Sequence, residues 1–323
     1  MKQEKYFVSG ASGFIGGSLL RLLNQKGIPV VGIGRSCRDE KNYFQCDIFD
    51  KDKIQEILKG VTCVVHCAGY AHAFHANSRD VKEATWRLNY EAAKQLAQLS
   101  AQMGVSKLIH LSSVKAMGDP GAYCVDESWL AWPETDYGKS KLAAENILTE
   151  IGYESGMQVV NLRLAMVYGA GGKGNLERMA RLISKNRFPP LPETHNHRSM
   201  VHIDDVLDAI LCVAKTHKAI EGPLIVASNE APSGRGLFNE LRAAYGMKPL
   251  KFQVSRALLN SFAFMGDFMQ RVTGQKMPFN REILSRLLDS EWYSSKKLQT
   301  LLGWSSKISL KVGLAQIVNK SQQ

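Results

Sequence analysis

The sequence predicts an α/β fold, a doubly wound parallel sheet followed by a smaller C-terminal lobe. Three observations predict it. A short apolar strand opens the chain and runs directly into a glycine-rich turn. Apolar runs of strand length then alternate with helix-like stretches as far as Val167, the βαβ rhythm of a parallel sheet. Downstream, a phenol and an ammonium stand one helical turn apart, after a strand that ends in two serines.

Lys5-Tyr6-Phe7-Val8-Ser9 reads as the first strand. Gly10-Ala11-Ser12-Gly13-Phe14-Ile15-Gly16 follows it, and a helix-like run extends from Gly17 to Gln25. Glycines at a strand-to-helix turn permit a tight bend and close backbone approach. The helix N-terminus then offers free N–H groups and a positive dipole end to a pyrophosphate. The spacing is GxxGxxG rather than the commoner GxGxxG. Strand, turn, helix and a second strand from Pro29 to Ile33 supply the context that makes this a dinucleotide-binding Rossmann unit.

Val61 to Cys67 reads as a further apolar strand, with Cys63 and Cys67 facing the same way. The six cysteines form no disulfide framework and no metal-ligand spacing, so no metal is expected. Lys107 to Leu111 is a strand that reaches its end at Ser112-Ser113-Val114, and strand ends are where such a sheet displays its chemistry. In Tyr137-Gly138-Lys139-Ser140-Lys141 the phenol and the ammonium share a helix face. A phenol with a pKa of about 10 shuttles protons poorly at neutral pH unless a cation favours its phenolate. Lys141 is placed to be that cation, which makes Ser113, Tyr137 and Lys141 the candidate catalytic residues. Beyond Val167, the run Gly169 to Gly174 and the cluster Pro189-Pro190-Leu191-Pro192 mark irregular loops. The expected division is a Rossmann domain over 1–168 and a lobe over 169–323, some of whose segments return to the sheet.

At 323 residues and 45% hydrophobic, the chain can bury a core of this size without linkers or repeats. Its net charge of +11 is spread along the sequence, and no nucleic-acid module is present, so no nucleic-acid partner is expected. An anionic cofactor and substrate explain part of the excess. Solvated surface or an anionic membrane face explains the rest. The first strand begins too early for a signal peptide, and Ala257 to Met269 is too short and interrupted to span a bilayer. A cytoplasmic protein without an integral span is expected, with that stretch as a lobe helix.

With these motifs in place, the chain resembles the extended short-chain dehydrogenases/reductases of the NAD-dependent epimerase/dehydratase family, which act on nucleotide sugars. The resemblance runs almost end to end. Cys46-Asp47-Ile48 matches the family's adenine-binding Asp, and His66-Cys67-Ala68-Gly69 its strand beside the nicotinamide. Leu88-Asn89-Tyr90 carries the family's helix Asn. Arg163 to Gly169 resembles "LRxxxVYG", Arg198 to Val206 resembles "R-x-x-V-H-V-D-D", and Leu302-Gly303-Trp304 resembles the closing "LGW". The implied cofactor residues are Gly10, Ser12, Gly13, Phe14, Ile15, Gly16, Arg35, Asp47, Ile48, Ala68, Gly69, Asn89, Tyr137 and Lys141. The implied substrate residues are Ser113, Asn175, Arg198 and Arg286, with the two arginines on a diphosphate. Relatives often form homodimers through the helices that include Asn89 and Tyr137, so a homodimer is expected.

Three details narrow the expectation. Where NAD-using epimerases end the second strand on an acid for the ribose, this chain has Gly34 and then Arg35. A guanidinium there suits a 2′-phosphate and favours NADP(H), with NAD(H) possible if Arg35 only stacks on adenine. Val114-Lys115-Ala116 replaces the acidic pair by which dehydratases eliminate water. Gly172-Lys173-Gly174-Asn175 and His195-Asn196-His197-Arg198-Ser199 resemble a branch that reduces a UDP-4-keto-6-deoxy-N-acetylhexosamine, although His197 stands where that branch has Arg. The expected function is therefore an NAD(P)-dependent 4-reductase of a nucleotide-linked sugar. The alternatives are a UDP-hexose 4-epimerase, a 3β-hydroxysteroid-dehydrogenase-like enzyme, and a non-catalytic NADP(H)-sensing regulator.

Overall fold

A computed structural model describes residues 4–70, 79–172, 174–274, 277 and 279–322. The first half runs β1 (Tyr6–Ser9), α1 (Phe14–Gln25), β2 (Val30–Gly34), β3 (Tyr43–Gln45), α2 (Lys51–Leu58), β4 (Cys63–His66) and α3 (Arg79–Trp86). A π-helical turn (Arg87–Glu91) leads into α4 (Ala92–Gln102), β5 (Lys107–Ser113), a 3₁₀ turn (Val114–Met117), β6 (Cys124–Val125), α5 (Asp136–Ser155), β7 (Gln158–Leu164) and β8 (Met166–Tyr168). The remainder is α6 (Asn175–Ser184), β9 (Met200–His202), α7 (Ile203–Lys215), β10 (Leu224–Val226), α8 (Gly234–Ala244), α9 (Arg256–Thr273), α10 (Arg281–Leu288), β11 (Trp292–Tyr293), α11 (Lys296–Leu302) and α12 (Leu310–Gln322).

Seven of the strands form one parallel sheet in the order β10-β7-β5-β4-β1-β2-β3. Central strands such as Cys63-Val64-Val65-His66 are buried on both faces, which is why they read as unbroken apolar runs rather than alternating ones. One face is covered by α1 and α7 through Leu19, Leu20, Leu23, Val206 and Ile210. The other is covered by α2, α4 and α5 through Ile54, Leu58, Leu96, Ala144 and Leu148. A separate core in the C-terminal half joins α6, α8, α9 and α12 through Met179, Phe238, Leu259 and Leu314. Residues beyond 168 also build the main sheet: β10 extends it at β7, and α7 lies on its face. The buried Lys107 ammonium of β5 reaches the end of α7, donating to the carbonyls of Val213 (2.8 Å) and Ala214 (2.9 Å).

The sheet reverses its winding between β1 and β4, so their carboxyl ends open a crevice there. Two local boundaries differ from the sequence reading. The first helix begins at Phe14, three residues before Gly17, because Gly16 and Gly17 lie inside it against the Gly10–Ala11 backbone. Strand β4 ends at His66, one residue short of Cys67, although Cys67 and Cys63 still pack into the same core, as their spacing implies.

Candidate active site

The glycine turn after β1 is shaped by close contacts that only glycine allows. Gly10 adopts φ +67°, and a Cβ on it would lie 2.7 Å from the Ala68 nitrogen in the loop after β4. A Cβ on Gly16 would lie 2.4 Å from the Gly10 carbonyl oxygen. The two loops that flank the crevice therefore meet through bare backbone. No side chain caps α1, whose N-cap is Gly13, and its first amides face the crevice mouth with Phe14 and Ile15 half-buried. This is a cradle for a pyrophosphate at a helix N-terminus.

At the end of β2, Gly34 is buried, and a Cβ there would come within 2.7 Å of the Ser12 hydroxyl and 2.5 Å of the Tyr43 hydroxyl. A side chain at this position would displace the Ser12 and Tyr43 hydroxyls. Arg35 follows it, exposed. Asp47 is exposed, its carboxylate accepting from the Phe49 amide at 3.0 Å, whereas Ile48 is buried in the core under α2 and α4.

Across the crevice, β5 ends on Ser113, and α5 begins at Asp136, capped by the Thr135 hydroxyl accepting from the Gly138 amide. That cap sets the pitch of α5 and aims Tyr137 and Lys141 at the strand end. Tyr137 and Ser113 share a hydrogen bond. The Lys141 ammonium donates to the Leu111 carbonyl at 2.8 Å and approaches Gly69, where a Cβ would lie 3.4 Å from it. Burial drives the Lys141 pKa down to about 8, with Glu145 and Cys67 opposing. Burial likewise pushes the Tyr137 phenol above its usual value, and the hydrogen bond from Ser113 opposes it.

Asn89 sits on the π-helical turn and is fully buried. Its amide donates to the Ser140 hydroxyl (3.0 Å), and its carbonyl oxygen accepts from the Tyr70 amide (2.8 Å). The extra residue of a π turn redirects a side chain without ending the helix, and here it points Asn89 between α5 and the loop after β4.

Other residues that support the site are brought together by strand pairing. Arg163, in the "LRxxxVYG" strand, forms a buried ion pair with Glu145 (2.7 Å), one turn after Lys141, and Glu145 also accepts from Ser112 at 2.5 Å. Behind the site, His66 and His110 are stacked, with ring centroids 5.7 Å apart on paired positions of β4 and β5. His66 Nδ1 bonds the Ser9 hydroxyl at 2.7 Å and His110 Nδ1 the Asn161 amide oxygen at 2.9 Å, while both Nε2 atoms have no hydrogen-bond partner. Burial first, and then the Lys141 charge, hold both imidazoles well below the ordinary histidine range, His66 at about 3.

The C-terminal half meets the site through charge. Lys115, two residues after Ser113, pairs with Glu291 at 2.7 Å, and the same Glu291 oxygen pairs with Arg198 at 3.3 Å. Glu291 is held below its usual pKa by Arg198 and Lys115, despite its burial. Arg198, Arg286 and Asn175 line one cavity of about 770 Å³ that also includes Met166 of β8. His197, instead of an arginine, stacks on Trp292 with centroids 3.9 Å apart. Lys173, in the same loop motif as Asn175, lies outside the described residues. Among the described residues no group of His, Cys, Asp or Glu is arranged to hold a metal.

The sequence-predicted residues thus fall into two neighbourhoods. Gly10 to Gly16, Arg35, Ala68, Gly69, Asn89, Ser113, Tyr137 and Lys141 surround the crevice, and Asn175, Arg198 and Arg286 surround the lobe cavity. Of the remaining two, Asp47 is exposed after β3 and Ile48 is buried in the hydrophobic core.

Comparison with known proteins is consistent with this layout. The NAD dependent epimerase/dehydratase family model matches residues 6–227. A UDP-glucose 4-epimerase from Vibrio cholerae is 30% identical over 284 residues, covering 84% of this chain and 86% of that protein. Among solved structures, a UDP-glucuronic acid 4-epimerase from Bacillus cereus with UDP-glucuronic acid and NAD superposes with a TM-score of 0.79. It is 21% identical and covers 99% of both chains. A UDP-glucose 4-epimerase from Thermotoga maritima with UDP-glucose gives a TM-score of 0.79 at 22% identity, covering 98% of each chain. The chain is a nicotinamide-dependent enzyme of the NAD dependent epimerase/dehydratase family.

Proposed function

We propose that this protein interconverts the two configurations at carbon 4 of a nucleotide-linked sugar through a 4-keto intermediate. The observation that carries the reading is the Ser113–Tyr137 hydrogen bond beside the buried Lys141 ammonium, at the mouth of a glycine cradle that a Cβ would fill. Gly10, Gly13 and Gly16 would hold the dinucleotide's pyrophosphate, and Lys141 with Asn89 would flank its nicotinamide ribose. When bound, the cofactor supplies the hydride acceptor and donor.

Tyr137 takes the proton from the C4 hydroxyl, while Ser113 steadies the same oxygen by a hydrogen bond. With that hydride chemistry supplied, Tyr137 would hold the proton while carbon 4 is a ketone and return it to the same oxygen, leaving Tyr137 unchanged at the end of a net isomerisation. A Lys141 that titrates near 8 is still mostly protonated at neutral pH, so it favours the phenolate that must form on Tyr137. Arg198 and Arg286 would take the substrate diphosphate, for which a guanidinium fork is suited. A homodimer through the outer faces of α4 and α5 belongs to the same reading, supported by the exposed Tyr153 on α5.

A second reading, reduction of a 4-keto sugar by NADPH, is favoured by the end of β2. Ser12 and Tyr43 fill the place of the ribose-binding acid, and Arg35 is exposed beside it. The deciding experiment is to purify the protein and identify co-purifying nucleotide, then compare NADH with NADPH binding. Retained NAD with turnover of UDP-N-acetylglucosamine supports the epimerase. An empty site with NADPH preference supports the reductase, and binding of neither dinucleotide overturns both.

A further inference from the structure

The side chains described around the lobe cavity offer few hydrogen-bond partners to a nucleoside. A uracil and its ribose bring several hydrogen-bonding groups, and each one buried without a partner costs about 1–3 kcal/mol. Among the described residues lining the cavity, only Asn175 and four arginines have polar side chains. Arg178 and Arg187 are exposed at its rim, while Arg198 lies deeper, 11% exposed, and Glu291 feels both Arg198 and Arg286. The rest of the wall is apolar, with Leu176, Phe188, Phe262, Met265, Met269 and Ile283 facing inward. Thioethers and phenyl rings conform to a flexible hydrocarbon and offer nothing to a nucleobase edge.

The wall is also the outside of the molecule. On α9, Leu258, Phe262, Met265, Met269 and Val272 follow one another at helical spacing along one stripe, and each is 43–67% exposed. Phe264 and Phe268 flank that stripe at 56% and 57%. Seven large apolar side chains half-exposed on one helix form a patch that water does not tolerate well. Four of the seven (Leu258, Phe262, Met265 and Met269) line the cavity at the same time, so the mouth of the cavity opens through the patch. The surrounding charge is mainly basic: between 247 and 274 lie Lys248, Lys251, Arg256 and Arg271 against one acid, Asp267, with Arg256 paired to Asp289 and Asp267 to Arg281. No described helix is long and apolar enough to cross a bilayer. An amphipathic helix with a basic border suits the plane of an anionic membrane surface.

We propose that the lobe cavity holds a hydrocarbon chain, so that the sugar diphosphate offered to Ser113 and Tyr137 is carried on a long-chain lipid alcohol at a membrane face. This rests on the reading of the Ser113–Tyr137–Lys141 cluster as a carbon-4 oxidoreductase, and it extends the substrates of that site beyond nucleotide esters. Arg198 and Arg286 hold the diphosphate in either case, and the apolar wall selects what the diphosphate is joined to. The helix α9 rests on the lipid headgroups, and the chain passes from the bilayer into the cavity without crossing water.

The test gives the full-length protein two substrates with its cofactor. One is N-acetylglucosaminyl diphosphate on a long-chain isoprenoid alcohol, in vesicles of phosphatidylcholine and phosphatidylglycerol. The other is UDP-N-acetylglucosamine in solution. The proposal expects kcat/KM at least tenfold higher for the lipid-linked sugar, and flotation of the protein with these vesicles. The double variant Phe268→Ser/Val272→Ser, on exposed positions outside the cavity wall, should lose flotation and at least tenfold of the lipid-linked rate while keeping its cofactor affinity. Turnover of the UDP sugar alone, with no flotation, overturns the lipid proposal and leaves the carbon-4 chemistry standing. Turnover of neither substrate overturns the carbon-4 reading and the lipid proposal with it. If the double variant instead converts a dimer to a monomer in sedimentation, and vesicles never bind, the patch is an interface between two copies and the lipid proposal fails.

Discussion

The stacked pair His66 and His110 makes stability depend on pH in a way that can be calculated. Both rings are buried and held neutral, while in the unfolded chain each titrates near 6.5. Their folded pKa values are depressed, so below 6.5 the unfolded chain binds protons that the folded chain does not, and stability falls as pH falls. Between pH 7.5 and 5.5 an unfolded histidine with a pKa of 6.5 gains a net penalty of about 1.4 kcal/mol, so the pair contributes roughly 2.7 kcal/mol of lost stability. The loss begins near neutrality and continues down toward the folded value of about 3 for His66. Urea unfolding at pH 7.5, 6.5 and 5.5 reads it directly. The variants His66→Asn and His110→Asn start from a lower stability, because each leaves space in the core, but each should lose about 1.4 kcal/mol less across that interval. If either variant shows the same pH slope as the unaltered protein, that ring is charged in the folded state and the burial argument is wrong.

Other expectations follow from the same contacts. Tyr137→Phe should abolish turnover and leave dinucleotide affinity within about twofold, measured by steady-state assay and fluorescence titration. Gly16→Val places a side chain on the Gly10 carbonyl, 2.4 Å from where its Cβ must lie, and should abolish dinucleotide binding in calorimetry. Glu145→Gln leaves the buried Arg163 charge without its counterion and should cost about 3–5 kcal/mol in urea unfolding. On the NADPH reading, Arg35→Ser should raise the KM for NADPH about tenfold while changing that for NADH less than twofold. Equal changes for both cofactors would place Arg35 against the adenine.

Legibility in the sequence followed distance along the chain. The glycine turn, strand–helix alternation and Tyr137–Lys141 spacing are local, so the α/β sheet and one wall of the crevice could be read directly. Ser113 required only the recognition of a strand end. What escaped depends on register. His66 and His110 become neighbours only because β4 pairs with β5 at those positions, and Lys115 meets Glu291 across 176 residues. The Glu145–Arg163 pair was half visible, since Glu145 lies one turn beyond Lys141 on the same helix face, but its partner comes from β7. Gly34 shows the same limit. The missing acid was legible, whereas the Ser12 and Tyr43 hydroxyls that occupy its place were not.

The position of β10 bears on how the molecule is made. A chain emerging from the ribosome completes β7 some sixty residues before β10 appears, and until then β7 is the open margin of the sheet. An unpaired margin of seven residues invites pairing with a neighbouring nascent chain. Once β10 docks, the sheet ends on strands of only three residues at both sides, β10 and β3, too short to template another chain. A fragment cut at 168 would expose that margin permanently and uncover the sheet face on which α7 packs, so a truncated protein should aggregate.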